Sequence, residues 1–125
     1  MQQKQLNILA VDDDLINLKL LKSMLMKNEH VRHVIEAKNG ADAIEILKQN
    51  SDIDLILLDI IMPVMGGIEM LRIIRADENL SQLPIIVLTT DETKKTEALE
   101  NGANGFLMKP IRIHDLNEQI QQLIL

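Results

Sequence analysis

Short apolar runs alternate with amphipathic stretches along the chain. An apolar run rich in branched residues is typical of a buried strand, whereas apolar positions three and four residues apart predict one face of a helix. The predicted strands are 6–11, 31–37, 55–59, 84–89 and 105–108. The predicted helices are marked by Leu18, Leu21 and Leu25; by Ala43, Ile44 and Leu47; by Ile68, Met70, Leu71 and Ile74; by the stretch 91–101; and by Ile113, Leu116, Ile120 and Leu123. Strands that alternate with helices in this way predict an α/β fold with a parallel sheet built from right-handed βαβ units.

The predicted elements differ in how apolar they are. Residues 55–58 are apolar throughout, as in a strand buried on both faces at the centre of a sheet, while 31–37 is more polar and is expected near an edge. In the third predicted helix, Arg72 and Arg75 lie opposite the apolar positions and are expected to face solvent.

The fourth predicted helix is the weakest of the set. Residues 91–101 have little apolar surface beyond Ala98 and Leu99, so little packing is available to stabilise a helix there. Gly102 is suited to close this helix as its C-terminal cap.

Composition restricts the class of protein. The 125 residues are expected to form one domain, residues 1–125, and 46% hydrophobic with 26% charged residues is a globular balance. A net charge of −6 argues against a nucleic-acid-binding surface, and no apolar run approaches membrane-spanning length. The chain has no cysteine and no apolar signal core after its first residues, which is consistent with a reducing, cytoplasmic location.

Asp59 stands at the end of the most apolar predicted strand. Met62-Pro63 and then Gly66-Gly67 indicate a turn before the next helix. In open α/β sheets, ligands bind outside the carboxyl ends of the strands. A lone aspartate here could simply cap a turn, so its role depends on its neighbours.

Acidic, hydroxyl and lysine side chains that could form a site lie at or just after the ends of four predicted strands. They are Asp12, Asp13 and Asp14 after the first strand, Asp59 after the third, Thr89 at the end of the fourth, and Lys109 after the fifth. Each acid alone could be a helix cap and Lys109 a surface charge, but their shared location at carboxyl ends of strands favours convergence on one site.

Clustered carboxylates cannot all stay ionised unless a cation joins them, and all-oxygen ligands suit Mg²⁺. A metal, a lysine, a hydroxyl and an in-line aspartate nucleophile are the groups that phosphoryl transfer to a carboxylate requires. The chemistry predicted at this edge of the sheet is therefore acceptance of a phosphoryl group by Asp59.

Taken in order, the motifs resemble those of response-regulator receiver domains, the CheY-like phosphoacceptor modules of two-component signalling. The resemblance spans essentially the whole chain and is carried by Val11-Asp12-Asp13-Asp14, by Leu57-Leu58-Asp59-Ile60-Ile61-Met62-Pro63, by Leu88-Thr89-Thr90 and by Phe106-Leu107-Met108-Lys109-Pro110. It implies a flavodoxin-like (βα)5 fold with strand order 2-1-3-4-5 and helices on both faces of the sheet.

The resemblance also implies a role for each site residue. It implies Asp59 as phosphoacceptor; Asp12, Asp13, Asp59 and the backbone carbonyl of Ile61 as metal ligands; Thr89 as switch hydroxyl with Thr90 beside it; Lys109 as phosphate-pairing lysine; Phe106 as switch aromatic; and a cis bond before Pro110. The implied cofactor is Mg²⁺, with Mn²⁺ as an alternative.

The implied partners are a histidine kinase or phosphotransfer protein as phosphodonor, and an output protein or a second copy. The output partner would dock on the surface of the fourth helix, fifth strand and fifth helix, and neither nucleic acid nor membrane is a direct partner. We expect a signalling module that gains and loses one phosphoryl group and not a turnover enzyme.

Three positions depart from the commonest family pattern. Thr90 stands where a smaller residue is usual, Gly66 stands where an aspartate is frequent, and Phe106 lacks the phenol hydroxyl of many relatives. None of them removes a residue that phosphorylation requires.

Two other readings use the same fold. A haloacid-dehalogenase-type phosphatase would take Asp12 as nucleophile and Asp14 as general acid, but it needs a cap over its substrate, and the short predicted loops offer none. A flavodoxin-type cofactor site is excluded, because three aspartates after the first strand would repel the phosphate. The histidines His30, His33 and His114 are interpreted as surface residues.

Overall fold

The computed structural model describes residues 5–62 and 64–125, and within them the predicted alternation of strands and helices is confirmed. The strands are β1 (Leu6–Val11), β2 (Val31–Ala37), β3 (Leu55–Asp59), β4 (Ile85–Thr89) and β5 (Gly105–Met108). The helices are α1 (Leu15–Met26), α2 (Gly40–Gln49), α3 (Gly67–Ala76), α4 (Lys95–Glu100) and α5 (Ile113–Leu123). Part of the turn predicted at Met62-Pro63 falls on Pro63, which lies outside the described residues.

All neighbouring strands pair in parallel, and their order is β2-β1-β3-β4-β5. This is the order that the resemblance implies, with the polar strand 31–37 at one edge and the apolar strand 55–59 in the centre. No helix in the described part of the chain is long and apolar enough to cross a bilayer.

The apolar runs are continuous because the central strands are covered on both faces. In β3, Leu55 and Leu57 point to a core shared with α1 and α5, while Ile56 and Leu58 point to a core shared with α2, α3 and α4. This alternation follows from the two-residue period of a strand, and it leaves no solvated face on which polar residues would be needed.

The predicted helix 91–101 is shorter than expected. Glu92–Lys94 form a 3₁₀ turn, and only Lys95–Glu100 are α-helical. Ala98 is the one buried residue of α4, so packing contributes little to extending the helix. Gly102 follows with a positive φ of 101°, as expected for a C-terminal cap.

Arg75 corrects the solvent-facing position predicted for it. Its half-buried guanidinium donates hydrogen bonds to the carbonyl oxygens of Ser81, Leu83 and Gly102 and to the side chain of Asn104. The side chain therefore fastens the end of α3 to the segments before β4 and before β5. The sequence pattern could not show this, because three of the four acceptors are backbone carbonyls of loops and the fourth is the side chain of Asn104.

Two further predictions need correction. Ile113 and Leu123, predicted on the apolar face of the last helix, are substantially exposed, and the core side of α5 is formed by Leu116 and Ile120. His30 is half-buried, whereas His33 and His114 are exposed as predicted. The backbone of His30 lies beside the start of β1, where its carbonyl accepts the N–H of Leu6, and this draws the side chain inward.

Candidate functional site

The predicted site residues lie at the carboxyl edge of the sheet. Asp12 follows β1, Asp59 ends β3, Thr89 ends β4 and Lys109 follows β5. Because β1 and β3 are hydrogen-bonded neighbours at the centre of the sheet, Asp12 and Asp59 are brought side by side although 46 positions separate them.

Three carboxylates form a cluster at this edge. Asp12, Asp13 and Asp59 each place one carboxylate oxygen so that all three atoms lie within 4.8 Å of one another. Asp12 and Asp59 are buried, whereas Asp13 is exposed, so the cluster is open to solvent on the side of Asp13.

Asp14 does not belong to this cluster. Its carboxylate is the N-cap of α1, where Oδ1 accepts hydrogen bonds from the backbone N–H groups of Ile16 at 2.9 Å and Asn17 at 3.3 Å. This bonding satisfies two of the free donors at the helix start. A phosphatase of the haloacid dehalogenase type would need this carboxylate as its general acid. Because the carboxylate is already hydrogen-bonded to the start of α1, the arrangement does not favour a phosphatase of that type.

Lys109 bridges the two buried acids. Its Nζ lies 2.9 Å from Oδ2 of Asp12 and 3.3 Å from Oδ1 of Asp59. Burial alone would lower the pKa of Lys109, but the hydrogen bond to Asp12 and the charge of Asp59 outweigh burial and raise it, so the side chain stays cationic. The Lys109–Pro110 peptide bond is cis, the geometry that the resemblance implies.

Asp59 is held in a disfavoured ionised state. Burial is the main cause and the nearby charge of Asp12 the next, and together they raise the pKa of Asp59 from 3.8 to about 6 despite the opposing effect of Lys109. The single positive charge of Lys109 thus does not compensate for the clustered negative charges. A second cation bound beside Asp59 would favour its ionised form.

The donor set fits Mg²⁺. The ligands are carboxylate oxygens, and the open side at Asp13 leaves room for the waters that Mg²⁺ usually retains. Ile61, whose backbone carbonyl is expected to complete the shell, lies two residues past Asp59 in the loop before α3, with its side chain 60% exposed. That carbonyl role stays a prediction.

Gly67 lets α3 begin directly against the backbone of Asp59 and Ile60. A Cβ on residue 67 would lie 2.5 Å from the carbonyl oxygen of Asp59 and 2.7 Å from Cα of Ile60. The backbone N–H of Gly67 donates to the carbonyl of Ile60 at 2.8 Å, which closes the loop tightly. The backbone on both sides of Asp59 is therefore rigidly placed.

The predicted switch residues lie beside this cluster. Thr89 is buried, and its Oγ1 accepts the backbone N–H of Asp91 at 3.1 Å, which leaves the hydroxyl proton to be donated elsewhere. Thr90 is exposed at the rim. Phe106 is half-buried one strand further on and is paired across the sheet with Val87.

Lys95 is the residue that sequence reasoning missed. Its Nζ lies 6.0 Å from the centroid of the Phe106 ring. No local sequence pattern indicates this pair, because it depends on how α4 lies against β5.

Comparisons with known proteins agree with this geometry. The family described as response regulator receiver domain matches residues 8–121. The chain is 31% identical to a chemotaxis protein CheY homolog of Campylobacter jejuni, over 95% of this chain and 92% of that protein. It is 42% identical to the hybrid signal transduction histidine kinase M of Dictyostelium discoideum, over 94% of this chain but only 5% of that much longer protein.

A solved structure supports the same assignment. The receiver domain of the sensor histidine kinase PA1611 from Pseudomonas aeruginosa superimposes with a TM-score of 0.86 and 31% identity, over 96% of this chain and 98% of that one. That structure carries a magnesium ion coordinated in its active site cleft. The match over residues 8–121, the parallel sheet in the order 2-1-3-4-5 and the acids at its carboxyl edge show that this chain belongs to the response regulator receiver domains of two-component phosphorelay signalling.

Proposed function

We propose that Asp59 accepts a phosphoryl group, and that Asp12 and Asp13 hold the Mg²⁺ on which the reaction depends. The observation that carries this proposal is the bridge of Lys109 between Asp12 and Asp59, beside an acid cluster whose third member is open to solvent. The arrangement presents one carboxylate nucleophile, one fixed cation and one oxygen-lined cation site at a single opening.

The step is a transfer between two nucleophiles. A carboxylate oxygen of Asp59 forms a bond to phosphorus while the bond from phosphorus to the donor's imidazole nitrogen breaks, and the released imidazole takes up a proton. Lys109 balances charge on the phosphoryl oxygens, and Thr89 donates its hydroxyl proton to one of them. When bound, Mg²⁺ would supply further positive charge at these oxygens.

The donor that fits is a phosphohistidine on a histidine kinase or a phosphotransfer protein, as in relatives that are hybrid kinases and response regulators. Mn²⁺ shares the preference of Mg²⁺ for oxygen ligands and is the alternative ion to titrate. The protein ends the reaction covalently modified, so it acts as a signalling module and not as a turnover enzyme.

The output partner would bind to the surface formed by α4, β5 and α5. Leu99, Met108 and Ile113 are exposed there, so an output protein or a second copy would find apolar contacts on it. Phosphorylation would alter this surface through Thr89, which is joined to the segment before α4 by the hydrogen bond from Asp91.

The test is chemical phosphorylation with acetyl phosphate and Mg²⁺, followed by intact-mass and peptide mass spectrometry. We expect one phosphoryl group on Asp59, labile to hydroxylamine, and none when Mg²⁺ is chelated. Asp59→Asn should abolish the modification. Asp14→Asn is the matched control, because Asn also caps helices and Asp14 lies outside the cluster, so this variant should be phosphorylated like the wild type. Equal modification of the Asp59→Asn protein would refute the proposal.

A further inference from the structure

Phe106 is the only aromatic ring of the Phe, Tyr and Trp type in the chain, and it contacts a cation. The half-buried side chain packs against the core that contains Val87 and Ala98. The Nζ of Lys95, the first residue of α4, lies over the ring at 6.0 Å from its centroid. This distance is at the outer limit of a cation–π contact, which is worth most when the face of the ring is reached directly.

The neighbouring lysine is engaged differently. Lys94 places its Nζ 3.9 Å from Oε2 of Glu97, whereas Lys95 forms no ion pair with any carboxylate among the described residues. The two lysines are adjacent and similarly placed at the start of α4, yet only Lys95 reaches the ring. They form a natural matched pair for substitution.

A short chain of hydrogen bonds joins the backbone before Lys95 to Thr89, which ends β4 at the same edge of the sheet as the acid cluster. Thr89 Oγ1 accepts the N–H of Asp91, and Asp91 Oδ1 in turn accepts the N–H of Thr93 at 3.0 Å as the N-cap of the 3₁₀ turn. Lys95 ends that turn and begins α4. A displacement of Thr89 toward Asp59 would therefore pull on the backbone that carries the Lys95 ammonium.

Among the described residues, no cation other than Lys95 lies over the Phe106 ring. A phenylalanine lacks the hydroxyl with which a tyrosine could bond to backbone or solvent groups, so only packing and the face of the ring can favour one position over another. An ammonium on that face is a directional contact, and it is lost when the ring turns away or the lysine moves.

We propose that Lys95 is a positioning residue that holds the Phe106 ring in its half-buried position until Thr89 is drawn toward a phosphoryl group on Asp59. This inference rests on the proposed function, because phosphorylation of Asp59 supplies the displacement. Release of the lysine then lets the ring turn inward, which changes the surface of α4, β5 and α5. Lys95 touches neither the acids nor the phosphoryl group and acts only through Phe106.

The ring can be observed without interference. Phenylalanine labelled with ¹³C in the ring gives the aromatic signals of Phe106 alone, since it is the only Phe. In metal- and phosphate-free wild type we expect one set of signals, which beryllofluoride with Mg²⁺ displaces. Lys95→Met, which removes the charge but keeps the length, should move the unliganded signals part of the way toward the beryllofluoride position. Lys94→Met should leave them in place, and Lys95→Arg should restore them.

The same variants change the rate of phosphorylation. If inward ring positions favour the phosphorylated state, Lys95→Met should raise the rate with acetyl phosphate by about two- to fivefold, the range of an exposed cation–π contact. The increase should vanish when Phe106→Leu is also present, because no ring face then remains for the lysine to hold.

The outcomes separate the two proposals. If beryllofluoride displaces the wild-type ring signals but Lys95→Met has the same unliganded spectrum and rate as Lys94→Met, the positioning role is refuted and the phosphoacceptor role stands. A displacement by Lys95→Met in the direction opposite to beryllofluoride also refutes it. Failure of acetyl phosphate to modify Asp59 in the wild type refutes the proposed function, while the comparison of Lys95→Met with Lys94→Met still decides whether the lysine positions the ring.

Discussion

At the scale of single residues, Asp59 combines two requirements that oppose each other. Phosphoryl acceptance needs an ionised carboxylate on a rigid backbone, and rigidity comes with burial beside other acids. The pKa of Asp59 is raised to about 6 by burial and by Asp12, so ionisation at neutral pH costs free energy when no metal is bound. The phosphoacceptor role proposed for Asp59 would therefore come at the expense of stability.

A pH-dependent stability follows from this shift. The folded-state pKa of Asp59 lies above the unfolded value of 3.8, so its stabilising effect is present below that value and is lost as the pH rises through about 6. Asp59→Asn should therefore raise the free energy of unfolding of the metal-free protein at about pH 7.5, by about 1–2 kcal/mol, and by nearly nothing at about pH 4. Urea unfolding followed by circular dichroism in the presence of EDTA measures both values. Asp14→Asn is the control, and a gain for Asp59→Asn that is equal at both pH values would contradict the shift.

Val64, in the loop after β3, has a strained backbone conformation. It has a φ of 70°, in the left-handed region that a β-branched residue rarely adopts, and it is 83% exposed, so no packing compensates. Val64→Asn should stabilise the protein by about 1 kcal/mol, because asparagine tolerates this conformation far better. Val64→Ala, which keeps a Cβ, should gain less. Equal or lower stability of the Asn variant in urea unfolding would show that the loop is not strained at this position.

At the scale of elements, α4 contrasts with the other helices. It has six residues and one buried side chain, yet its C-terminal end is fastened because Arg75 donates two hydrogen bonds to the carbonyl of Gly102. Its N-terminal end is held more weakly, by the 3₁₀ turn that Asp91 caps and by the contact of Lys95 with the Phe106 ring. We therefore expect movement of α4 to occur as a pivot about the Gly102 end, with the largest displacement near Lys95.

Removal of the Arg75 side chain tests this anchor. Arg75→Ala leaves the carbonyls of Ser81, Leu83 and Gly102 without their donor, so we expect a loss of about 2–3 kcal/mol in the free energy of unfolding. Amide hydrogen exchange should quicken in α4 and in the segment before β4 more than in β1. Arg72→Ala, which removes one exposed hydrogen bond to Asn101, is the control and should stay within about 0.5 kcal/mol. Similar losses for the two variants would show that Arg75 is no special anchor.

At the scale of the whole molecule, the site links the two halves of the sheet. Asp12 comes from the β1 side and Lys109 from the β5 side, and their contact at 2.9 Å joins positions that are 97 residues apart in the chain. A ligand at this edge therefore stabilises the global fold and not one local segment.

Mg²⁺ should accordingly raise the melting temperature. A ligand that binds only the folded state stabilises it by about 2.7 kcal/mol at a hundredfold excess over its dissociation constant. Thermal unfolding is followed by circular dichroism, since the chain has no Trp. Asp13→Asn should lose most of the stabilisation and Asp14→Asn should keep it. A midpoint that does not respond to Mg²⁺ in the wild type would contradict the metal site.

The alternation of strands and helices could be predicted from the sequence, as could the location of Asp12, Asp59, Thr89 and Lys109 at carboxyl ends of strands. Those properties follow from periods of two and 3.6 residues and from short turn signals, which are local and can be seen in one chain. The resemblance of the motifs to receiver domains added the strand order, which the structure confirms.

Which side chains meet depends on the packing of the folded chain. The residue pattern alone left three chemically equal aspartates after the first strand, and the structure agrees with the pair that the resemblance implies: Asp13 joins the acid cluster, whereas Asp14 caps α1. In the folded chain, Arg75 points inward and donates to loop carbonyls, and the Nζ of Lys95 lies over the Phe106 ring. Such partners lie far apart in the chain, so the packing of α3 and α4 against their neighbours chooses them, and no local pattern of residues contains that choice.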